Sequence, residues 1–124
     1  MNKKIAVTYD GNNQLTDFVS LTYIVIFEHN GKNWEIRKKF PFSFDSIKTT
    51  KEIRDHTRNL ILKLDDCKII ASASINGLIY NVFDRMRFAV FEIKDIDNSI
   101  LDKIIADIYS SLHNINNNVS VPTT

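Results

Sequence analysis

The chain has 124 residues, of which 44% are hydrophobic, and its 16 basic and 15 acidic residues leave a net charge of +1. This length fits one domain, and the balanced charge excludes the clustered basic excess that a nucleic-acid partner requires. One Cys excludes a disulfide framework or a multi-cysteine cluster within one chain, and the lack of a signal region or long apolar run predicts a soluble, cytoplasmic protein without a membrane partner.

Three strand patterns open the chain. They are rich in β-branched and aromatic residues and cover Lys4–Tyr9, Thr22–Glu28 and Asn33–Phe40. In the turn after the first strand, Gly11 can take a positive φ at no steric cost, and Asn12 and Asn13 tolerate one. The pair Asn30-Gly31 between the next two strands is typical of a hairpin with a type I′ turn, because that turn needs positive φ at both central residues.

Alternation along the third strand predicts its two faces. Trp34 and Ile36 share one face, and Lys38 is a further candidate for it. The basic run over 37–39 is interpreted as an exposed strand face that discourages edge-to-edge pairing. The alternative is a binding patch.

The second half of the chain alternates helix and strand patterns. Thr49 and Glu52 form a capping-box pattern that predicts a helix from Thr50 to about Leu64. The elements that follow are predicted as a buried strand over Cys67–Ala73, a helix over Leu78–Met86, a strand over Phe88–Ile93 and a helix from about Ile100 to Leu112. Residues 114–124 are polar and predict a flexible tail after a single domain over 1–113.

The resulting order, βββαβαβα, resembles the ribonuclease H-like α/β topology. This resemblance implies a three-layer domain with a five-stranded mixed sheet in the order 3-2-1-4-5. The first and fourth strands would then be parallel neighbours, and their carboxyl ends would form a topological switch point. Open α/β sheets bind ligands at such points.

The switch point is therefore the predicted ligand site. An anionic ligand there would meet free amides at the start of a helix, together with the positive end of its dipole. The candidate residues lie in two loops and comprise Asp10, Gly11, Asn12, Ser72, Ser74, Asn76 and Gly77. The alternative is an ordinary strand-to-helix loop in which Ser or Asn caps the helix.

Three further residues carry atoms that bind metals. Asp10 lies where a ribonuclease H-type enzyme places a metal-binding carboxylate, but the end of the fourth strand supplies no acid, so we favour a turn-forming Asp over a nuclease site. His56 and Cys67 flank one helix-to-strand connection and are candidate ligands for a metal, a haem or a cluster. The alternatives are a boundary histidine bonded to a neighbour and a buried cysteine that acts as a small hydrophobe.

Three segments resemble a known family. The sequences KIAVTYDGNN, KNWEIRKKFPFSFD and DDCKIIASASINGLIYNVFDRMRFAVFEI are similar to the iron-only nitrogenase accessory family called AnfO. That family resembles in turn the ribonuclease H-like domains that handle precursors of the nitrogenase iron–molybdenum cofactor. The most specific parts of the resemblance to AnfO are Phe40-Pro41-Phe42-Ser43-Phe44 and the pattern from Asp66 to Tyr80.

This resemblance implies a non-enzymatic accessory protein of an alternative nitrogenase system. It would bind an iron-containing cofactor or precursor, such as haem or an iron–sulfur cluster precursor, or a nitrogenase component protein. The alternatives are a small interaction module without a ligand of its own and, less favoured, a nuclease.

Overall fold

The computed structural model describes residues 3–120, with side chains up to Ser111. Five strands and three helices lie in this part of the chain. Their bounds are β1 Lys4–Tyr9, β2 Tyr23–His29, β3 Trp34–Pro41, α1 Thr50–Lys63, β4 Ile69–Ser72, α2 Gly77–Arg85, β5 Ala89–Glu92 and α3 Asn98–Ser120. None of these helices combines the length and apolar character that crossing a bilayer requires.

The strands form one mixed sheet in the order β3-β2-β1-β4-β5. The pairs β1–β2 and β2–β3 are antiparallel, whereas β1–β4 and β4–β5 are parallel. This arrangement confirms the α/β class, the element order and the sheet order. Each parallel connection contains a helix, as a crossover between parallel strands requires.

Helices cover both faces of the sheet. On one face, which we call the two-helix face, α1 and α2 pack against a cluster that includes Ile24, Leu60 and Phe83. On the opposite one-helix face, α3 packs alone against Ile5, Val7 and other apolar residues. The strands alternate between the two clusters, since Ile5 and Val7 face α3 whereas Ala6 faces α1 and α2.

All three helices begin next to a capping side chain. Thr49 accepts the Glu52 amide, and Glu52 accepts the Thr49 amide in return, which completes the capping box of α1. Asn76 accepts the Ile79 amide at the start of α2. Asp97 accepts the Ile100 amide at the start of α3, at 2.9 Å.

Two turns differ from the prediction. The hairpin between β2 and β3 exists, but its type I′ turn is wrong: the connection spans 30–33, and only Gly31 within it has a positive φ, at 102°. Asn30 instead accepts the Lys32 and Asn33 amides with its side-chain oxygen, which gives the loop a different set of hydrogen bonds. In the turn after β1, the positive φ falls on Asn13, which is predicted to tolerate it, and not on Gly11.

A β-bulge in β3 changes the predicted faces of that strand. Ile26 pairs with Lys38 while Phe27 pairs with Ile36, so Arg37 is an extra residue that opposes no partner. Trp34, before the bulge, donates to Asp102 of α3 at 2.8 Å. Lys38, after it, donates to the carbonyl oxygen of Lys63 in α1 at 2.8 Å. The placement of Lys38 with Trp34 is therefore wrong.

Two element ends also differ. The strand predicted from Cys67 begins only at Ile69, because the chain reverses at Asp65 (φ 55°) and the Cys67 amide bonds to the Leu64 carbonyl instead of a neighbouring strand. The last helix is predicted to end near Leu112, but α3 continues to Ser120. Asn in a helix costs at most about 0.7 kcal/mol, which an established helix tolerates. The rest of the predicted tail, 121–124, lies outside the described residues.

Candidate functional site

The predicted switch point exists, but the chain itself closes it. β1 and β4 are parallel neighbours in register at Ala6 with Ile70. The segment after β1 turns back over their carboxyl ends, with Leu15 bridging to Tyr9. There the Thr16 amide donates to the Thr8 carbonyl at 3.0 Å, and the Thr16 carbonyl accepts the Ala73 amide at 3.0 Å. A peptide unit of the protein thus lies where a ligand is predicted.

Two buried hydroxyl groups complete this closure. The Thr8 hydroxyl lies 2.6 Å from the Thr16 carbonyl oxygen and 2.9 Å from the Ser72 hydroxyl. Ser72 lies 3.0 Å from the same carbonyl and 3.0 Å from the Ser74 carbonyl. Each hydroxyl has one proton and so donates to one of these neighbours at a time. Both side chains nevertheless have hydrogen-bond partners and are essentially inaccessible to solvent. Ser72 therefore stabilises the fold and cannot reach a ligand in this state.

Asp10 and its neighbours form a turn. One carboxylate oxygen of Asp10 accepts the Asn12 amide at 2.8 Å and the Gln14 amide at 3.0 Å. These bonds are those of the turn-forming Asp. Gly11 and Asn12 are exposed at the tip of this turn. A ligand-binding role for these three residues stays a prediction.

The loop before α2 is also occupied by groups of the protein. The side chain of Asn76 caps α2, and the Ile75 amide donates to a carboxylate oxygen of Glu92 at 3.1 Å. The carboxylate of Glu92 therefore already binds one of the backbone amides that an anionic ligand is predicted to contact. Ser74 and Gly77 are exposed. A Cβ added at Gly77 would meet no atom within 4 Å, so glycine is not needed there for close packing.

His56 holds the segment that follows β3. Its Nε2 atom donates to the Ser43 carbonyl oxygen at 2.5 Å, which fixes the proton on that nitrogen because a carbonyl can only accept. Its ring stacks on Phe42 at 4.4 Å and meets Phe44 edge-on at 4.8 Å. The most family-specific stretch of the sequence therefore has a structural role, since Phe42, Ser43 and Phe44 together enclose this imidazole.

Cys67 lies in a different environment. Its thiol is fully buried, 3.4 Å from the Lys4 carbonyl oxygen and 3.3 Å from that of Ile69. Burial raises the pKa of this thiol to about 11, so release of its proton to a metal costs more free energy than it does for an exposed cysteine.

The structure does not bring His56 and Cys67 together. Leu64, whose carbonyl accepts the Cys67 amide, lies two turns of helix beyond His56, or about 12 Å along the axis. No contact between these two described side chains is found, and a common metal or haem site for this pair stays a prediction. Among the described side chains, no group of three or more His, Cys, Asp or Glu residues could hold a metal ion.

Two open grooves, neither predicted from the sequence, flank α1 and α2. The first, which we call the apolar groove, has a cavity volume of about 330 Å³. Its apolar lining consists of Phe18, Val19, Phe44, Ile47, Ile53 and Ile79. The second, which we call the arginine groove, is lined by Arg54, Arg58, Leu78, Asn81, Val82, Arg85 and Met86. The spacing of Arg54 and Arg58 by one helical turn indicates in the sequence that both lie on one side of α1. The packing of α1 on α2, which completes the groove, is not visible in the sequence.

Fold and site together define a small α/β domain whose switch point is closed by its own chain. Its described side chains form no cluster of potential metal ligands. The protein belongs to the family described as "Iron only nitrogenase protein AnfO", whose model matches residues 4–123. This family implies an accessory role in the iron-only nitrogenase system.

Comparisons with curated proteins and with solved structures add information on the fold only. No curated protein matches the chain. A solved structure, described as "Crystal structure of PH0822", is similar with a TM-score of 0.52 and 10% sequence identity, over 84% of this chain and 91% of the other. At that identity the similarity supports the fold alone.

Proposed function

We propose that this protein is a non-enzymatic accessory protein of an iron-only nitrogenase that acts by binding a protein component of that system. The observation that carries the proposal is the apolar groove on the two-helix side, which is open and lined largely by aromatic and aliphatic side chains. Family membership supplies the system to which the partner belongs.

The apolar groove has the features of a protein contact site. Val19 on its rim is 77% exposed, a high value for an aliphatic side chain. Phe44 on its wall is fixed by edge-to-face contacts with Phe18 and Phe42 and by the imidazole of His56. A wall that is already ordered loses little side-chain entropy on binding, so more of the contact energy remains as affinity.

The polar groups near the groove favour a protein partner over a resident cofactor. Cofactor sites need several polar groups that converge on the ligand. Of the polar residues that line the groove, Asn76 already caps α2, and Asp45, Ser46 and Lys48 are exposed to solvent. An apolar side chain of a partner fits such a surface without new polar contacts.

Substitution of Val19 tests the proposal. The full-length protein is titrated by calorimetry into each purified component protein of the iron-only nitrogenase. In Val19→Asp we expect binding to weaken at least about tenfold, because a carboxylate would be desolvated against apolar atoms. The matched control is Ile36→Asp, which places the same charge at a 61% exposed aliphatic position on the one-helix side.

Three results would contradict the proposal. The first is no binding of the wild type to any component protein. The second is an equal loss of affinity in the two variants. The third is purified protein that retains haem or iron after gel filtration and loses it in His56→Ala, which would establish a resident cofactor instead.

A further inference from the structure

The arginine groove lies between the solvent-facing sides of α1 and α2. Arg54 and Arg58 are one helical turn apart on α1, so their side chains lie on the same side of that helix. Asn81 and Arg85 have the same spacing on α2. Between the two rows lie the apolar side chains of Leu78, Val82 and Met86.

The positive charge of this groove is poorly neutralised within the protein. Arg58 approaches Asp55 at 3.5 Å, but the same carboxylate is already held by Lys51 at 2.9 Å. Neither Arg54 nor Arg85 forms an ion pair with any described side chain. Among the described side chains, Asp55 is thus the one ion-pair partner of these three guanidinium groups.

A charged groove beside the start of β1 provides the contrast. It contains Lys4, Arg37 and Lys38 beside Asp65 and Asp66. Here the charges are paired, since Lys4 bonds Asp66 at 2.7 Å and Lys38 bonds Asp65 at 3.2 Å. The arginine groove therefore differs from this charged groove in that most of its positive charge lies outside ion pairs.

We propose that the arginine groove docks an acidic segment of a partner protein, with carboxylates on Arg54, Arg58 and Arg85 and an apolar side chain on Met86. Carboxylates form two parallel hydrogen bonds with a guanidinium, which makes Arg the preferred cation for this contact. Met86 is 43% exposed, and its flexible thioether adapts to different apolar partners. Only the identification of the partner as a nitrogenase component rests on the proposed function above.

Size and charge favour a protein segment over other anions. The groove holds about 80 Å³, well below the roughly 300 Å³ at which cofactor and drug-sized sites begin. The protein carries a net charge of only +1, whereas nucleic-acid binding depends on a large basic excess. Asp102 and Asp107 on α3 are exposed on the far side, so an acidic partner is also repelled from the wrong face.

The first experiment measures binding of a probe that is independent of nitrogenase. A fluorescein-labelled twelve-residue peptide of Glu with one central Leu is titrated with the full-length protein, and fluorescence anisotropy is followed. We expect Arg54→Gln/Arg85→Gln to bind about 10- to 100-fold more weakly than the wild type, as losses of buried Arg contacts commonly do. The control, Lys94→Gln/Lys103→Gln, removes the same charge from exposed positions elsewhere and should bind within about twofold of the wild type.

Amide shifts in labelled wild-type protein locate the peptide. We expect the perturbed amides to include those of Arg58, Asn81 and Met86. Shifts confined to other surfaces would overturn the proposal, as would equal affinities of the two double variants. A single-stranded oligonucleotide of equal charge that binds more tightly than the peptide would identify a nucleic-acid site instead.

The same variants, titrated with the nitrogenase component proteins, separate the two proposals. If the wild type and Arg54→Gln/Arg85→Gln bind a component equally, the arginine groove is not its docking site, while the proposed function stands. If no component binds but the peptide binds as expected, the proposed function fails and the docking of an acidic segment stands.

Discussion

The two faces of the sheet are covered to very different extents. Neighbouring strands lie about 4.8 Å apart, so five strands span about 19 Å between the outermost axes. A helix with its side chains is about 10–12 Å wide. Two helices therefore cover one face almost completely, and Leu60 and Phe83 there are fully buried. One helix cannot cover the other, and Phe27, Trp34 and Phe91 remain only partly buried beside α3.

The faces also differ in charge. α1 carries Lys51, Arg54, Arg58 and Lys63 against only Glu52 and Asp55, whereas the described side chains of α3 include Asp102 and Asp107 against one Lys. Both open grooves border α1 and α2. The comparison indicates that the better-packed face also carries both grooves, because the two packed helices hold the side chains that line them in place.

The largest expected effect comes from a pair of truncations, one on each face. Phe83→Ala should lower the free energy of unfolding by about 3–5 kcal/mol, because it leaves a cavity in a fully buried cluster. Phe91→Ala should cost about 1–2 kcal/mol, because its ring is only partly removed from water. Urea unfolding of both variants measures the difference. Equal losses would mean that α3 covers its face as completely as α1 and α2 cover theirs.

A second prediction concerns the pH dependence of stability on the two-helix face. Burial raises the pKa of Cys67 to about 11, whereas an unfolded thiol ionises near about 8.5. The unfolded state therefore loses its proton first, so this stabilising contribution is complete below about pH 8.5 and is lost as the pH rises toward 11. Between pH 8 and pH 10, the wild type should lose about 2 kcal/mol more stability than Cys67→Ala.

Chemical denaturation at several pH values gives this difference. Burial also raises the pKa of Tyr9, but that residue is present in both proteins and its effect cancels. Parallel pH profiles of the two proteins would show that the thiol is accessible to water and that the cluster around it is less closed than described.

The smallest expected effect lies on the one-helix face, where a hydrogen bond between Trp34 and Asp102 ties α3 to β3. Asp102→Ala removes the acceptor of the Trp34 indole proton and should cost about 1 kcal/mol. Trp34 is the only tryptophan, so its fluorescence reports the change directly, and a shift of emission to longer wavelength is expected. Asp107→Ala on the same helix is the control. Unchanged emission in Asp102→Ala would show that α3 is held by apolar contacts alone.

The sequence was sufficient for the elements and largely insufficient for the site. Periodicity, the Thr49–Glu52 capping box and turn residues located all eight elements, because these signals are local. The bulge at Arg37 was missed because register depends on the partner strand. The closure by Thr16 was missed for a similar reason: a backbone carbonyl leaves no mark on the amino-acid pattern. The arginine groove required knowledge of which helix packs on which.

The pairing of β1 with β4 has a consequence for how the chain folds during synthesis. β1 to β3 follow one another along the chain and can pair as soon as residue 41 has emerged. The contact between Thr8 and Ser72, by contrast, spans 64 positions. Until β4 emerges, β1 has one unpaired edge, and its apolar residues Ile5 and Val7 lack the cover of α3. The nascent chain therefore has an interval of exposure to aggregation that is set by translation time, and closing this long loop is expected to limit the folding rate.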